Sequence, residues 1–315
     1  EKEKEKDNKK PKPEPKPTPE ASPKKEEPQT PQTKPLRETI EEDSNVEVWH
    51  SRDVDIMPLQ KKKATQLKNP KRRSVWWLDT GKLVQLGTEL TEQVNLLRSG
   101  THAMGVDYTP HERTAMFGPR LFDLYLIDAT TGERECIEES LKYQLESSPN
   151  GRYLIYLRDG HVWSHDIKTD QKHNLTGELE THFTNQEDDT LAAEKRPYGN
   201  ATWLKDSSAL LLYDRFDIWK ISPNGSAAIK LTNGTEDMIR HRLSQASFRK
   251  DDEGTIDPKK PLFVALYGEL TKKSGYAKLQ LDQDAKRAAK LDTLLWEDRA
   301  ISQLSRAEDA NVYTF

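Results

Sequence analysis

The chain has 315 residues, with 49 Lys and Arg against 53 Asp and Glu, for a net charge of −4. That balance gives no basic footprint for nucleic acid. A single cysteine, Cys136, excludes an internal disulfide framework and a thiolate metal cluster, and no apolar run approaches the roughly 18 residues of a membrane helix.

The first 35 residues, EKEKEKDNKKPKPEPKPTPEASPKKEEPQTPQTKP, hold nine of the 18 prolines, and Ala21 is their only apolar residue. Such a segment cannot bury enough surface to offset the entropy of ordering it. Residues 1–37 are therefore expected to be a disordered, extended linker, and residues 38–315 the folded domain. Ten lysines against eight acids make the linker a solvated spacer and not a nucleic-acid tail. With no initiating Met, no secretory leader and a strand-like NVYTF at the other end, the chain reads as part of a longer one.

KKKATQLKNPKRR (61–73) carries seven basic residues and no acid. It reads as a solvated hairpin with KNPK at its tip, because Val75-Trp76-Trp77-Leu78 follows at once as a strand; an anion patch is the alternative. From Val46 onward the apolar segments are short and rich in Val, Ile, Leu, Tyr and Trp. Turn residues separate them every ~8–12 positions, the pattern of an all-β protein. DQDAKRAAKLDTLLWEDRA (282–300) has helix-favouring composition but a strand position, and its type stays open.

A recurrent unit decides among β architectures. An aromatic strand ending in Asp or Ser, a turn and a polar strand occur in VWWLDTGKLVQL (75–86), LYLIDATTGERECI (124–137), VWSHDIKTDQKHNL (162–175) and IWKISPNGSAAIKL (218–231). A fainter copy, YAKLQLDQDAKRAAKL, spans 276–291. Asp79, Asp128, Asp166 and Ser222 close the four strands at intervals of 49, 38 and 56 residues. These bracket the ~40–50 residues of a four-stranded propeller blade. Asn150-Gly151, Asp159-Gly160, Asn224-Gly225 and Asn233-Gly234 read as hairpin turns. DGHVW (159–163) is then a tight turn, with Leu154, Tyr156, Val162 and Trp163 packing between blades. The expected fold is an all-β β-propeller of four-stranded blades, about five plus the start of another.

In order along the chain, VEVWHSRDVDIMPLQ (46–60), DLYLIDATTGE (123–133), SPNGRYLIYLRDGHVWSHDIKTDQKHNLTG (148–177), PYGNATWLKDSSALLLYDRFDIWKISPNG (197–225) and IDPKKPLFVALYGELTKKSGY (256–276) follow one another. With these motifs, YDRFDIW (213–219) the most specific, the chain from Val46 onward resembles the propeller region of bacterial prolyl oligopeptidase family serine peptidases, on the dipeptidyl and acylaminoacyl peptidase branch. The resemblance implies a propeller that caps a C-terminal α/β-hydrolase domain, its partner, and sieves oligopeptide substrates. It also implies a periplasmic or extracellular location. No two of the 15 glycines lie four apart, so the Gly-x-Ser-x-Gly elbow of that hydrolase is not in this sequence. No catalytic residue is assigned, and the chain is not expected to hydrolyse anything by itself.

Two places carry candidate substrate-binding residues. ELETHFTNQEDDTLAAEKRPY (178–198) interrupts the blade period and holds Glu187, Asp188 and Asp189. In the dipeptidyl peptidase relatives paired glutamates in a propeller insertion bind the substrate amine, a role suited to carboxylates; here the match is one of neighbourhood and acidity. In YDRFDIW, Arg215 reads either as a carbonyl or carboxylate ligand near the pore or as half of an Asp-Arg pair locking a β-turn. His161 and His165 lie four apart on a strand without further ligands, so no metal and no cofactor are expected. The four Asn-x-Ser/Thr sequons, at Asn174, Asn200, Asn224 and Asn233, read as turn chemistry. A peptidase-gating propeller leads; a stand-alone protein-binding propeller and a carboxylate-based glycosidase are the alternatives.

Overall fold

Short apolar strands joined by Gly, Asn and Asp turns pair with their sequence neighbours, so antiparallel meanders are the natural outcome. The computed structural model describes residues 46–68, 71–88, 93–248, 253–281, 289–301, 303–307, 310 and 312–315, without the side chains of 66 and 67. The linker expected over residues 1–37 lies outside the described residues. Residues 51–315 form one unit; residues 46–50 belong to another.

The unit opens with helix α1 (Met57–Lys68), where the sequence suggested one arm of a hairpin. The physical reason is propensity: Lys, Gln, Ala and Leu lose little side-chain freedom in a helix, and Pro58 suits its first turn. Lys63 reaches back to Asp55 at 2.6 Å. Part of the expected KNPK tip lies outside the described residues.

A two-stranded sheet follows, β1 (Ser74–Trp77) and β2 (Lys82–Gln85). Four four-stranded meanders come next. The first holds β3 (Gln93–Leu96), β4 (His102–Asp107), β5 (Phe122–Asp128) and β6 (Arg134–Leu141). The second holds β7 (Tyr143–Gln144), β8 (Tyr153–Arg158), β9 (His161–Asp166) and β10 (Gln171–Asn174). The third holds β11 (Thr202–Trp203), β12 (Leu210–Tyr213), β13 (Ile218–Ile221) and β14 (Ala228–Lys230). The fourth holds β15 (Ile239–Leu243), β16 (Leu262–Gly268), β17 (Ser274–Gln280) and β18 (Lys290–Glu297), so the open segment contains a strand. β19 (Ser305–Arg306) and β20 (Tyr313–Thr314) pair last. The first repeat is thus a two-stranded sheet behind a helix, corresponding to the third and fourth strands of later sheets, and not a full blade.

The repeat recurs atom for atom. Leu175 N–H donates to Val162 O at 2.9 Å and Leu231 N–H to Ile218 O at 2.8 Å. Thr176 Oγ1 accepts from Val162 N, and Thr232 Oγ1 from Ile218 N. The Leu-Thr pair therefore zips the outer strand one step further in both blades. Arg158 pairs with His161 across Asp159-Gly160, both at positive φ, the two-residue hairpin expected. Asn233-Gly234 differs. It joins β14 to β15, and Gly234 is needed for space: a Cβ there would lie 1.9 Å from Ile239 O.

Packing distinguishes a propeller from a sandwich. Along β8, Leu154 and Tyr156 pack with Met104, Val106, Leu124 and Leu126 of the preceding sheet. Tyr153, Ile155 and Leu157 pack with Trp203, Leu210 and Leu212 of the following one. Along β12, Leu210 and Leu212 point back, while Leu211 and Tyr213 point forward to Leu262, Val264 and Leu266. Ile127 and Ala103 make the same junction with Val84 and Leu86. Every core cluster joins two consecutive sheets, so the first three complete sheets are buried on both faces, while the fourth buries Leu262, Val264 and Leu266 against the third and leaves Phe263, Ala265 and Tyr267 half-buried on its other face. The series also curves: Arg98, after β3, pairs with Glu253 of the loop between β15 and β16 and donates to its carbonyl at 3.2 Å. The sheets stand around a common axis as a β-propeller.

Because both faces are covered, Leu210→Ala and Leu211→Ala, each at a fully buried site, should both cost about 2–5 kcal/mol in urea unfolding. A near-neutral result at either position would mean a one-faced sheet. Asp166 accepts from Arg152 at 2.8 and 2.5 Å. That hydrogen bonding lowers its carboxyl to about 2. The unfolded group titrates near ~3.9, so its contribution is full above ~pH 4 and is lost as pH falls toward 2. Stability should drop by on the order of 2 kcal/mol across that window, and Asp166→Asn should flatten this part of the pH profile.

Candidate functional site

The first strand of each meander is its axial edge. Residues at the ends of all four (Arg98, Glu146, Trp203 and Leu243 among them) line a cavity of about 570 Å³ at one end of the axis. A second cavity, of about 510 Å³, lies toward the other end of β15. Arg242 borders both, and the two lie along the central channel that a propeller leaves between its first strands.

The second mouth is built by a turn and a loop. Between β12 and β13, Asp214 Oδ1 accepts from the Phe216 and Asp217 amides at 2.9 and 2.6 Å, and Oδ2 accepts from Trp219 Nε1 at 2.8 Å. Asp217 turns inward and is fully buried. It accepts from Thr232 Oγ1 at 2.8 Å, Gly234 N at 2.5 Å and Thr235 Oγ1 at 2.8 Å. It lies 3.8 Å from His241 Nδ1, so one carboxylate ties the third sheet to the entry of the fourth. Both aspartates of YDRFDIW are consumed by structure. Arg215 projects outward and pairs with glutamates, and among the described residues it makes no ion pair with Asp214 or Asp217, so the Asp-Arg lock considered from the sequence is absent there.

The insertion over residues 178–198 is a closed loop. Thr184 bridges Pro197, Asn185 N donates to Arg196 O at 2.7 Å, and Gln186 N donates to Tyr198 Oη at 3.1 Å. Phe183 anchors its base edge-on against Trp219. This places Glu187 on Arg215, which also pairs with Glu269, beyond β16, at 2.9 Å. Burial alone would lower the Arg215 pKa, but Glu269 and Glu187 outweigh it and raise it. Asp188 caps the Thr190 amide at 3.0 Å and sits 3.8 Å from Arg196; the amide bond holds its pKa down. Asp189 is exposed and outside the cavity lining. Of the four residues the sequence singled out, the structure brings together Glu187 and Arg215.

Sequence reasoning missed Glu269, Arg196, Arg240 and Arg242. A signal existed for the last two: in IRHRL, arginines alternate with Ile239, His241 and Leu243 on an axial strand. Arg242 donates to the carbonyls of His241, Asp214 and Arg215 at 2.7–3.0 Å and lies 5.0 Å from the Tyr213 ring centroid. Burial, then the Arg240 charge, lowers its pKa. Arg240 lies 5.1 Å from the Tyr267 ring centroid. Among the described residues, no three His, Cys, Asp or Glu side chains cluster as metal ligands would.

No family model and no curated protein matches the chain. Solved structures do. Porphyromonas gingivalis dipeptidyl peptidase 4 is 10% identical over 74% of this chain and 42% of its own, with a TM-score of 0.41. A prolyl endopeptidase structure is 13% identical over 72% of this chain and 33% of its own, at 0.37. The Cps50 (Swd1) β-propeller domain of Myceliophteria thermophila is 13% identical over 74% and 66%, at 0.34. The likeness is one of fold. The chain spans less than half the length of either peptidase.

If Asp217 serves packing and Arg215 the channel, their substitutions should separate. Asp217→Ala, which strips acceptors from two hydroxyls and an amide, should cost about 2–4 kcal/mol in urea unfolding. Arg215→Gln, at a half-exposed site, should cost at most about 1 kcal/mol. Equal losses would make Arg215 structural.

Proposed function

We propose that this chain is the substrate-gating propeller of a serine peptidase of the prolyl oligopeptidase type, exported from the cell, acting on oligopeptides and not catalytic by itself. Its partners are an α/β-hydrolase domain on the same polypeptide and the peptide that passes through the channel. The observation that carries this reading is the channel itself, bordered along β15 by charged side chains and rimmed at one mouth by the Glu187–Arg215–Glu269 group. An extended peptide carries unpaired amides and carbonyls along its length, and such a rim offers both acceptors and donors to them. A folded domain is too wide to enter, so the propeller contributes to specificity and not to bond cleavage. Export rests on the family resemblance of the motifs.

Within this reading Glu187 and Arg215 touch the peptide, and Asp188 and Asp189 flank them on the loop. Glu187 can hold a substrate amine only by sharing itself with Arg215, to which it is already bound.

The test uses the polypeptide that carries these residues together with its hydrolase domain. kcat/KM should fall by about tenfold or more from a decapeptide to a folded small protein bearing the same cleavage sequence. Arg215→Gln should raise KM for the decapeptide with kcat kept. Equal cleavage of folded and short substrates would refute the sieve. If Glu187 is the amine anchor, Glu187→Gln raises KM only for free-amine peptides; equal effects on N-blocked ones remove that role.

A further inference from the structure

The mouth that holds Glu187 is, on balance, cationic. Four guanidinium groups, those of Arg196, Arg215, Arg240 and Arg242, line the 510 Å³ cavity against two carboxylates, Glu187 and Glu269. This inverts the sign of the chain as a whole, which is −4. The carboxylates are also already committed: both pair with Arg215, and Asp188 from the loop lies 3.8 Å from Arg196. Arg240 and Arg242 have no carboxylate partner among the described residues. Their charges rest on the faces of Tyr267 and Tyr213 and, for Arg242, on backbone carbonyls. Ring faces and carbonyl dipoles attract a cation without neutralising it.

Two guanidiniums two residues apart on one strand repel each other, and for Arg242, which is partly buried where Arg240 is exposed, a charge without a counter-ion is costly. An arrangement of this kind is completed by an anion. The planar fork of arginine matches a carboxylate, which it binds through two parallel N–H···O bonds. Glu187 and Glu269 share the cavity and would repel a dianion more strongly than a monoanion, so the chemistry favours a carboxylate over a phosphate.

We propose that Arg240 and Arg242 form a carboxylate-binding subsite inside the channel, which holds a peptide by its C-terminal carboxylate or by an acidic side chain. The carrier, a peptide, rests on the gating reading above; the anion site rests on the arginines alone. The site is thus complementary to an acidic end of the substrate, while the Glu187 rim is already satisfied internally.

The experiment is calorimetric titration of the 315-residue chain at low and moderate salt. The probes are acetyl-trialanine as free acid and as amide, acetyl-Ala-Glu-Ala-amide and its Gln analogue, and sodium acetate as a carrier-free anion. One acidic probe should bind about tenfold or more tighter than its neutral twin, with affinity falling as salt rises. A preference within the first pair assigns the C-terminal carboxylate, and within the second an acidic side chain. Arg240→Gln, at an exposed position, should remove the preference without shifting Tm, and Arg240→Lys should restore only part of it because the fork is lost. Arg242→Gln should act the same way if its Tm is unchanged. Equal affinities for acid and neutral twin overturn the subsite, as does a preference that survives Arg240→Gln. Arg240-dependent binding of acetate without any peptide binding keeps the subsite and overturns the peptide carrier. No binding of any probe overturns both.

Discussion

The whole architecture depends on sheets that are apolar on both faces. The second and third meanders split their strand residues by parity: odd positions of β8 pack forward and even positions back, and the same division runs through β12. A sheet of this kind cannot leave either face to water, since a buried Leu or Tyr contributes on the order of 1.5–3 kcal/mol. It therefore needs a neighbour on each side, and a regular series of such sheets, each twisted, curves about an axis. The Arg98–Glu253 pair links the loop after β3 to the loop between β15 and β16, so the first and fourth meanders approach each other across the axis.

Radial packing has a second consequence. It assigns the first strand of every meander to the axis, where one edge has no strand to pair with. Such edges are where polar and charged side chains are tolerated in an otherwise apolar structure. β15 uses its alternate positions for Arg240 and Arg242, and the loops beside it add Glu187, Arg215 and Glu269. The channel chemistry is the by-product of a packing rule, and it is set by which residues occupy the few positions that packing leaves free. Asp214 and Asp217 show the opposite use of charge: their carboxylates are saturated by amides, hydroxyls and an indole, and they hold the turn from which Arg215 projects.

Much of this was legible in the residues. The 56-residue offset between VWSHDIKTDQKHNLTG and IWKISPNGSAAIKLTNG corresponds to matching backbone bonds in two blades, and Asp159-Gly160 makes the turn its dipeptide implies. The strand that follows it at once makes the lysine-rich segment before β1 read as a hairpin, whereas unbranched side chains and a proline in the first turn favour a helix. Asn233-Gly234 carried a hairpin signature but serves a blade-to-blade junction, where the absence of a Cβ matters for clearance and not for φ.

By itself the sequence determined the class of fold, the repeat length, most of the tight turns and the location of the acidic insertion. All of these are local: they depend on side-chain alternation and on the dihedral preferences of a few residues, which act within one hairpin. Only the tertiary structure decided that Glu187 and Glu269 meet on Arg215, that Asp214 and Asp217 are spent on the turn, and that Arg240 and Arg242 have no carboxylate partner among the described residues. Charge pairing falls off with distance through space and takes no account of separation along the chain, so residues from four segments could be matched only once the sheets had set them around one axis.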